Sequence, residues 1–317
     1  MSANGVPFTR ARRLDRIGGR DGVVVGVAFD HRDSLQAVLE SRGMGAWSHE
    51  RISEFKQLVA RVLAPAATLM LLDVEFAAGQ ALAAGVLPGD TALALPLEAQ
   101  GYEEVGQGPR TSLLEDWDAR GCAEIGADAC KLLLPFRVDR PERAAQEAVA
   151  RLAAREVNAV NLALILEPIA YGDPDEERNK AAFARLVVSG AEALASCGAS
   201  VLKLQYPGSP SACLDLTRAC GHVPWVLLGG GADAATLEAQ VRDACGGGAS
   251  GFVVGRTLFN EAIVEDFGEA QRILEERSLP LLGRLAAVAQ ESAIPIRRRI
   301  PKVLSPRLGW HREHISI

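Results

Sequence analysis

Eight short apolar runs, separated by longer Ala-rich amphipathic stretches, leave this chain few folds to choose from. The runs cover residues 23–30, 67–73, 91–97, 129–135, 159–167, 200–206, 224–229 and 250–255. Several are almost unbroken (VVVGVAFD, TLMLLD, VLKLQY, PWVLLG, GFVVG), as expected of parallel strands covered on both faces. Between them, residues 47–63, 141–156, 176–197, 211–220 and 233–245 carry helical periodicity. Repeated strand and helix alternation predicts an α/β chain closed into a (β/α)8 TIM barrel. An open doubly wound sheet is the runner-up. Against it, the first strand-to-helix turn, AFDHRDS, has no Gly-rich dinucleotide fingerprint.

With 317 residues and 48% hydrophobic content, the chain can bury one large core. No composition shift marks a linker, so a single barrel domain is expected over residues 1–317, with an N-terminal extension at 1–20 and a tail at 294–317. The tail (IPIRRRIPKVLSPRLGWHREHISI) is basic and broken by proline. It reads as a solvated or packed extension, with a role in closing the site or in assembly as the other reading. The insert at 98–121 (containing LEAQGYEEVGQGPR) is expected at the barrel mouth, as a lid.

The net charge of −6 argues against a general nucleic-acid binder but not against one anionic small substrate. The N-terminus has charge but no apolar run after it, and no stretch of about 18 uninterrupted apolar residues occurs, so neither a signal peptide nor a membrane span is expected. The six cysteines form no CxxC pair and read as reduced, partly buried thiols, so the cytoplasm is the expected compartment. Five histidines (His31, His49, His222, His311, His314) make no HxH or HExxH pattern, so no metal or other cofactor is expected.

Polar residues recur at or just past the ends of the runs: Asp30, Asp73 and Glu75, Glu98, Lys131, Glu167, Lys203, Gly229 to Gly231, and Gly255 with Arg256. In a barrel these ends converge on the active site. Two lysines stand out, Lys131 in ADACKLLLPF and Lys203 in SVLKLQYP, since a lysine inside an apolar strand is rarely buried without a purpose or a partner. Alternation puts Val201, Lys203 and Gln205 on one face, and strands four and six can place Lys131 and Lys203 in one layer. A free amine has a pKa of about 10.4. Burial and a neighbouring ammonium both favour its neutral form, which can attack a ketone and form an imine. Glu167 (LALILEPIAYGDP) sits among apolar residues that should raise its pKa and suit it to proton transfer. Gly229, Gly230, Gly231, Gly255 and Arg256 occupy the loops where this fold commonly binds phosphate; tight turns needing glycine are the structural alternative. His31 can contact a substrate hydroxyl or anion, or be a simple turn residue.

These segments together resemble the class I tagatose 1,6-bisphosphate aldolase family and the related 6-deoxy-6-sulfofructose-1-phosphate aldolases. The resemblance covers most of residues 22–265, through AFDHRDSL, PLEAQGYE, WDARGCAEIGADACKLLLPF, LEPIAYG, GASVLKLQYP, PWVLLGGGAD and GASGFVVGRTLFNEA. It implies Lys203 as the Schiff-base lysine and Glu167 as the acid/base, with Asp30 and Lys131 around the imine and the substrate hydroxyls. It also implies Gly229, Gly230, Gly231, Gly255 and Arg256 as the anion-binding end, and beside these His31, Arg32 and Gln205 are expected to contact the substrate. The implied reaction cleaves a ketose 1-phosphate or 1,6-bisphosphate reversibly to dihydroxyacetone phosphate and an aldehyde, without a cofactor. The implied substrate is a phosphorylated, or also sulfonated, sugar, and a homo-oligomer is expected. Departures from the family pattern cluster around the substrate: Gln205 replaces an acid in K-V-E, His31 a Gln, and Gly229 to Gly231 a Ser-containing turn. These departures keep open a sugar-phosphate-binding regulatory barrel with little turnover. A Schiff-base transaldolase or isomerase is the third reading.

Overall fold

The computed structural model describes residues 8–99, 103–104, 109–172, 175 and 178–300. Eight strands, β1 (Val24–Phe29), β2 (Leu69–Leu72), β3 (Ala92–Pro96), β4 (Ala129–Pro135), β5 (Ala163–Ile169), β6 (Val201–Leu204), β7 (Trp225–Leu228) and β8 (Gly251–Val254), form a closed barrel. Every neighbouring pair is parallel, and β1 pairs with both β2 and β8. The predicted (β/α)8 barrel is therefore the fold observed.

Strand register fixes the height of each inward residue. Carried around the barrel, the register runs from Val24 through Gly251, Val226, Lys203, Glu167, Leu133, Glu98 and Glu75, and re-enters β1 level with Arg32. The line from position 24 to position 32 climbs eight residues toward the mouth, the shear expected of tilted strands in an eight-stranded barrel. Inward residues on alternate strands therefore share layers. Val24, Ala92 and Ala163 lie deepest, then Leu69, Ala129 and Val201, then Ala94, Ile165 and Val226, all in one buried apolar cluster. The next layer contains Leu71, Lys131, Lys203 and Val253, so both lysines stand at one height on top of a dry apolar stack.

The chain also forms the helices α1 (Phe8–Gly18), α2 (Asp33–Ser41), α3 (His49–Leu63), α4 (Ala78–Ala83), α5 (Ala119–Glu124), α6 (Arg143–Ala159), α7 (Lys180–Ala195), α8 (Pro210–Ala219), α9 (Ala234–Gly246), α10 (Arg256–Phe259), α11 (Phe267–Ile273), α12 (Leu279–Ser292) and α13 (Ile296–Arg299). Ser48, Asn179, Ser209 and Asp233 cap α3, α7, α8 and α9 by accepting a backbone N–H, which sets where those helices start. The fifth run corrects the expected boundary of 159–167: α6 continues to Ala159, and the turn that follows contains Asn161 at φ 58°, a conformation Asn tolerates. Glu167 consequently lies inside β5 rather than at its end. Helices α2 and α12 are further elements not among the predicted segments.

α1 plugs the barrel floor, where Leu14 and Ile17 pack with Ile296 of α13 under the deepest layer. The described part of the tail therefore lies at the face opposite the mouth, held by the Arg297–Asp15 pair and by the Ile296 N–H to Gly22 O bond. Residues 301–317 lie outside the described residues. At the mouth, the 98–121 insert folds back through an antiparallel bridge between Glu98 and Leu113 and a two-residue ladder, Glu103–Glu104 with Pro109–Arg110. Its remaining expected lid, 100–102 and 105–108, falls outside the described residues. All six cysteines are free and buried, and burial pushes the Cys213, Cys220 and Cys245 thiols up to about 12. Among the described residues, no helix is long and apolar enough to cross a membrane.

Candidate active site

A cavity of about 580 Å³ opens at the C-terminal ends of the strands, and Asp30, His31, Arg32, Lys131, Glu167, Lys203, Gln205, Gly229, Gly230, Gly231, Gly255 and Arg256 all line it. Twelve positions scattered over the sequence are thus brought to one place by strand ends and the loops after them. Asp73 and Glu75, also expected there, are not among its lining residues. Asp73 is fully buried but turns to Lys56 of α3, and Glu75 is exposed outside the cavity. The reason is local: Asp73 Oδ1 accepts the N–H groups of Glu75 and Phe76, so its carboxylate closes the turn after β2.

The floor of the cavity is a chain of alternating charges. Lys203, 4% exposed, has its Nζ 3.0 Å from Glu167 Oε1 and donates to Oε2 at 3.1 Å. The same Oε2 lies 3.3 Å from Lys131 Nζ, so one carboxylate oxygen is shared by the two lysines. Lys131 also donates to Asp30 Oδ2 at 2.9 Å and makes a short bond to Glu98 Oε1. Glu98 Oε2 in turn accepts the Leu133 N–H at 3.2 Å.

The charges set these groups apart. Burial alone would lower the Lys131 pKa, but Asp30, Glu98 and Glu167 outweigh it and hold it well above the ordinary value, so Lys131 is an ammonium. That corrects the expectation of a neutral form for this lysine. Burial tends to raise the Asp30 pKa, yet the neighbouring Lys131 and Lys203 keep it well below the carboxylate range. Burial raises that of Glu98 against the pull of Lys131. His31 is lowered to about 4, by burial and by the positive Lys203 and Arg256, against Asp30. It is therefore a neutral imidazole at neutral pH, with its ring held against Phe259 at 5.5 Å. The burial expected around Glu167 is present, but two cations flank it rather than apolar walls alone.

Around the rim, Arg32 is buried and donates to Glu98 O at 2.9 Å. Gln205 lines the wall with its amide paired in both directions to Ala170, accepting its N–H at 2.7 Å and donating to its O at 3.4 Å. After β7, Gly230 and Gly231 have φ of 61° and 80°, and the Arg256 guanidinium donates to Gly230 O at 3.0 Å. A Cβ at Gly255 would stand 2.3 Å from Ala28 O, so glycine is what lets this loop close on β1. Asp233 caps the N-terminus of α9, beside the glycine loop and the Arg256 guanidinium, a pairing of backbone N–H groups and a cation that suits an anion. Glu98, expected at this face with the other strand-end polar residues, lines the cavity too, as does Thr111, which was not among the expected residues. Glu98 carried a signal, a lone acid just after the third apolar run, while Thr111 lies in the insert, where local pattern says nothing about direction. Among the described residues, no group of three or more His, Cys, Asp or Glu is disposed to hold a metal ion.

A parallel barrel with a buried lysine–carboxylate chain at its mouth defines an enzyme that can move protons about an amine inside a closed cavity. The model of the DeoC/LacD family aldolases matches residues 24–261, three-quarters of the chain, and the chain belongs to that family. It is accordingly an aldolase, a carbon–carbon lyase. It is similar to tagatose 1,6-diphosphate aldolase 1 of Streptococcus pyogenes serotype M1, with 27% identity over 311 residues, covering 88% of this chain and 95% of the relative. A tagatose 1,6-diphosphate aldolase of Listeria monocytogenes is 30% identical over 202 residues, 61% of this chain and 59% of the relative. Among solved structures, a Schiff base forming fructose-1,6-bisphosphate aldolase shares the fold with a TM-score of 0.62 at 18% identity, covering 88% of this chain and 99% of the other.

Proposed function

We propose that this protein is a cytoplasmic class I aldolase in which Lys203 forms a Schiff base with a ketose 1-phosphate or 1,6-bisphosphate. The observation that carries this reading is the position of Lys203: buried, on the cavity wall, with its amine against both oxygens of Glu167. Glu167 takes the proton that the ammonium must lose, and the free amine adds to the substrate carbonyl. Loss of water from the adduct, with a proton returned by Glu167, leaves a protonated imine. That imine accepts the electron pair released when the adjacent carbon–carbon bond breaks, while Glu167 takes the proton of the hydroxyl that becomes the aldehyde; return of a proton to the resulting enamine carbon and addition of water to the imine then free the second product and Lys203. Lys131, held as an ammonium, is unsuited to the nucleophile's part; with Asp30 it binds the hydroxyl oxygens that flank the breaking bond. Gly229, Gly230, Gly231, Gly255 and Arg256 hold the C1 phosphate, while His31, Arg32 and Gln205 face the rest of the sugar. The products are dihydroxyacetone phosphate and an aldehyde, and the reaction runs in both directions. Six buried free thiols fit a reducing compartment.

Borohydride added with a panel of ketose phosphates, including 6-phosphate and 6-sulfonate forms, tests this directly. The productive substrate adds its reduced mass to Lys203, and Lys203→Ala loses both the label and roughly 10³–10⁶-fold in kcat. A fully active Lys203→Ala protein would remove the mechanism. Saturable binding without cleavage would instead favour a regulatory barrel.

A further inference from the structure

We propose that Lys56, which lies outside the cavity, is a positioning residue that sets the direction of Asp30. The functional part of this inference rests on the proposed aldol reaction. Lys56 stands on α3 and is fully buried, on a helix face whose other buried members include Ile52, Phe55, Val59 and Leu63. Its Nζ donates to His31 O at 2.6 Å, approaches Phe29 O at 3.4 Å, and makes a short bond to Asp73 Oδ2. An ammonium has three donors, and these three acceptors account for them.

The two carbonyls belong to the residues on either side of Asp30. Holding both carbonyls fixes the peptide groups before and after Asp30, and with them the direction of its Cα–Cβ bond, which leads to the cavity side, where Asp30 Oδ2 meets Lys131 at 2.9 Å. The anchor is itself rigid, because the other oxygen of Asp73 is held by the amides of Glu75 and Phe76 at the end of β2. Packing alone does not call for this lysine. An apolar side chain of similar length would fill the same space without desolvating a charge pair. The rings of Phe29 and Phe76, 4.9 and 5.6 Å from Nζ, would accept a methionine equally well. What an apolar replacement cannot supply is a donor to the peptides flanking Asp30.

Replacing Lys56→Met together with Asp73→Asn removes both buried charges and leaves an oxygen for the Glu75 and Phe76 amides. Lys56→Gln, with Asp73 intact, is the second variant and keeps a side-chain donor. Expected first is a rise in amide hydrogen exchange of about tenfold or more over residues 30–34, with β4 and β6 unchanged. Turnover of the ketose phosphate should fall about 10–100-fold in kcat with KM nearly constant and Lys203 still trapped by borohydride, Lys56→Gln being intermediate. Adding the pair of substitutions to Asp30→Asn should cost nothing beyond Asp30→Asn alone. Unchanged exchange in the loop, loosening of the whole barrel, or losses that multiply with those of Asp30→Asn would each overturn the proposal. Failure of the unaltered protein to trap substrate at Lys203 speaks against the Schiff-base reading only, since the exchange data decide the hold of Lys56 on Asp30 without any turnover.

Discussion

Two buried lysines in one layer of the barrel differ because of what faces them. Lys131 meets Asp30, Glu98 and Glu167, whereas the ion-pair partner of Lys203 is Glu167. Lys131→Met would leave Asp30 and Glu98 buried without their cation. The expected loss is about 3–5 kcal/mol, read by urea unfolding at pH 7, together with a large fall in kcat. A stable Lys131→Met protein with normal turnover would contradict the charge chain described above. His31 makes a separate prediction. Its folded pKa of about 4 lies below the ordinary 6.5, so the unfolded chain binds the proton first as pH falls. The contribution of His31 to stability is present above pH 6.5 and is lost between 6.5 and 4, by at most about 3 kcal/mol. His31→Gln should flatten that part of the pH–stability curve; an unaltered slope would show that the imidazole is not the titrating group. From the sequence, Asp30, Lys131, Glu167 and Lys203 were readable as chemically unusual because each interrupts or ends an apolar run. Their charged partners were not, since those lie 33 to 101 residues away.

At the scale of elements, the strands were legible to within a few residues because apolar runs bounded by turn residues are a local signal. The end of α6 was not, because its helical pattern flows into the β5 run and only the Asn161 turn separates them. Glycines divide in the same way. Gly230 has open space around it, so Gly230→Ala costs only the left-handed backbone, about 1 kcal/mol. Its larger effect should be a raised KM for the ketose phosphate, measured by steady-state kinetics. Gly251 combines φ of 126° with a Cβ position 2.0 Å from Val24 O, inside the β1–β8 pairing. Gly251→Ala should therefore cost more than about 3 kcal/mol or prevent folding, as seen by thermal unfolding and soluble yield. Equal stability of the two variants would refute this distinction between loop and strand.

Across the whole molecule, the barrel separates stability from chemistry along its axis. The floor carries α1, α13 and the buried Asp128, which pairs with Arg16 at 3.2 Å and Arg13 at 3.6 Å. Replacing both arginines by alanine leaves Asp128 without its cations, with an expected loss of roughly 1–3 kcal/mol. Because the site sits at the opposite face, kcat should be unchanged; a parallel fall in kcat would show that the floor and the mouth are coupled. The chain itself determined the barrel class, the strands and the candidate groups, since hydrophobic period and residue chemistry are properties of short segments. Only the closed structure decided which polar side chains share a cavity. Shear placed Lys131 and Lys203 at one height, and the turn after β2 swung Asp73 away to Lys56. Those outcomes follow from strand tilt and hydrogen bonds between distant segments, which no local stretch of sequence encodes.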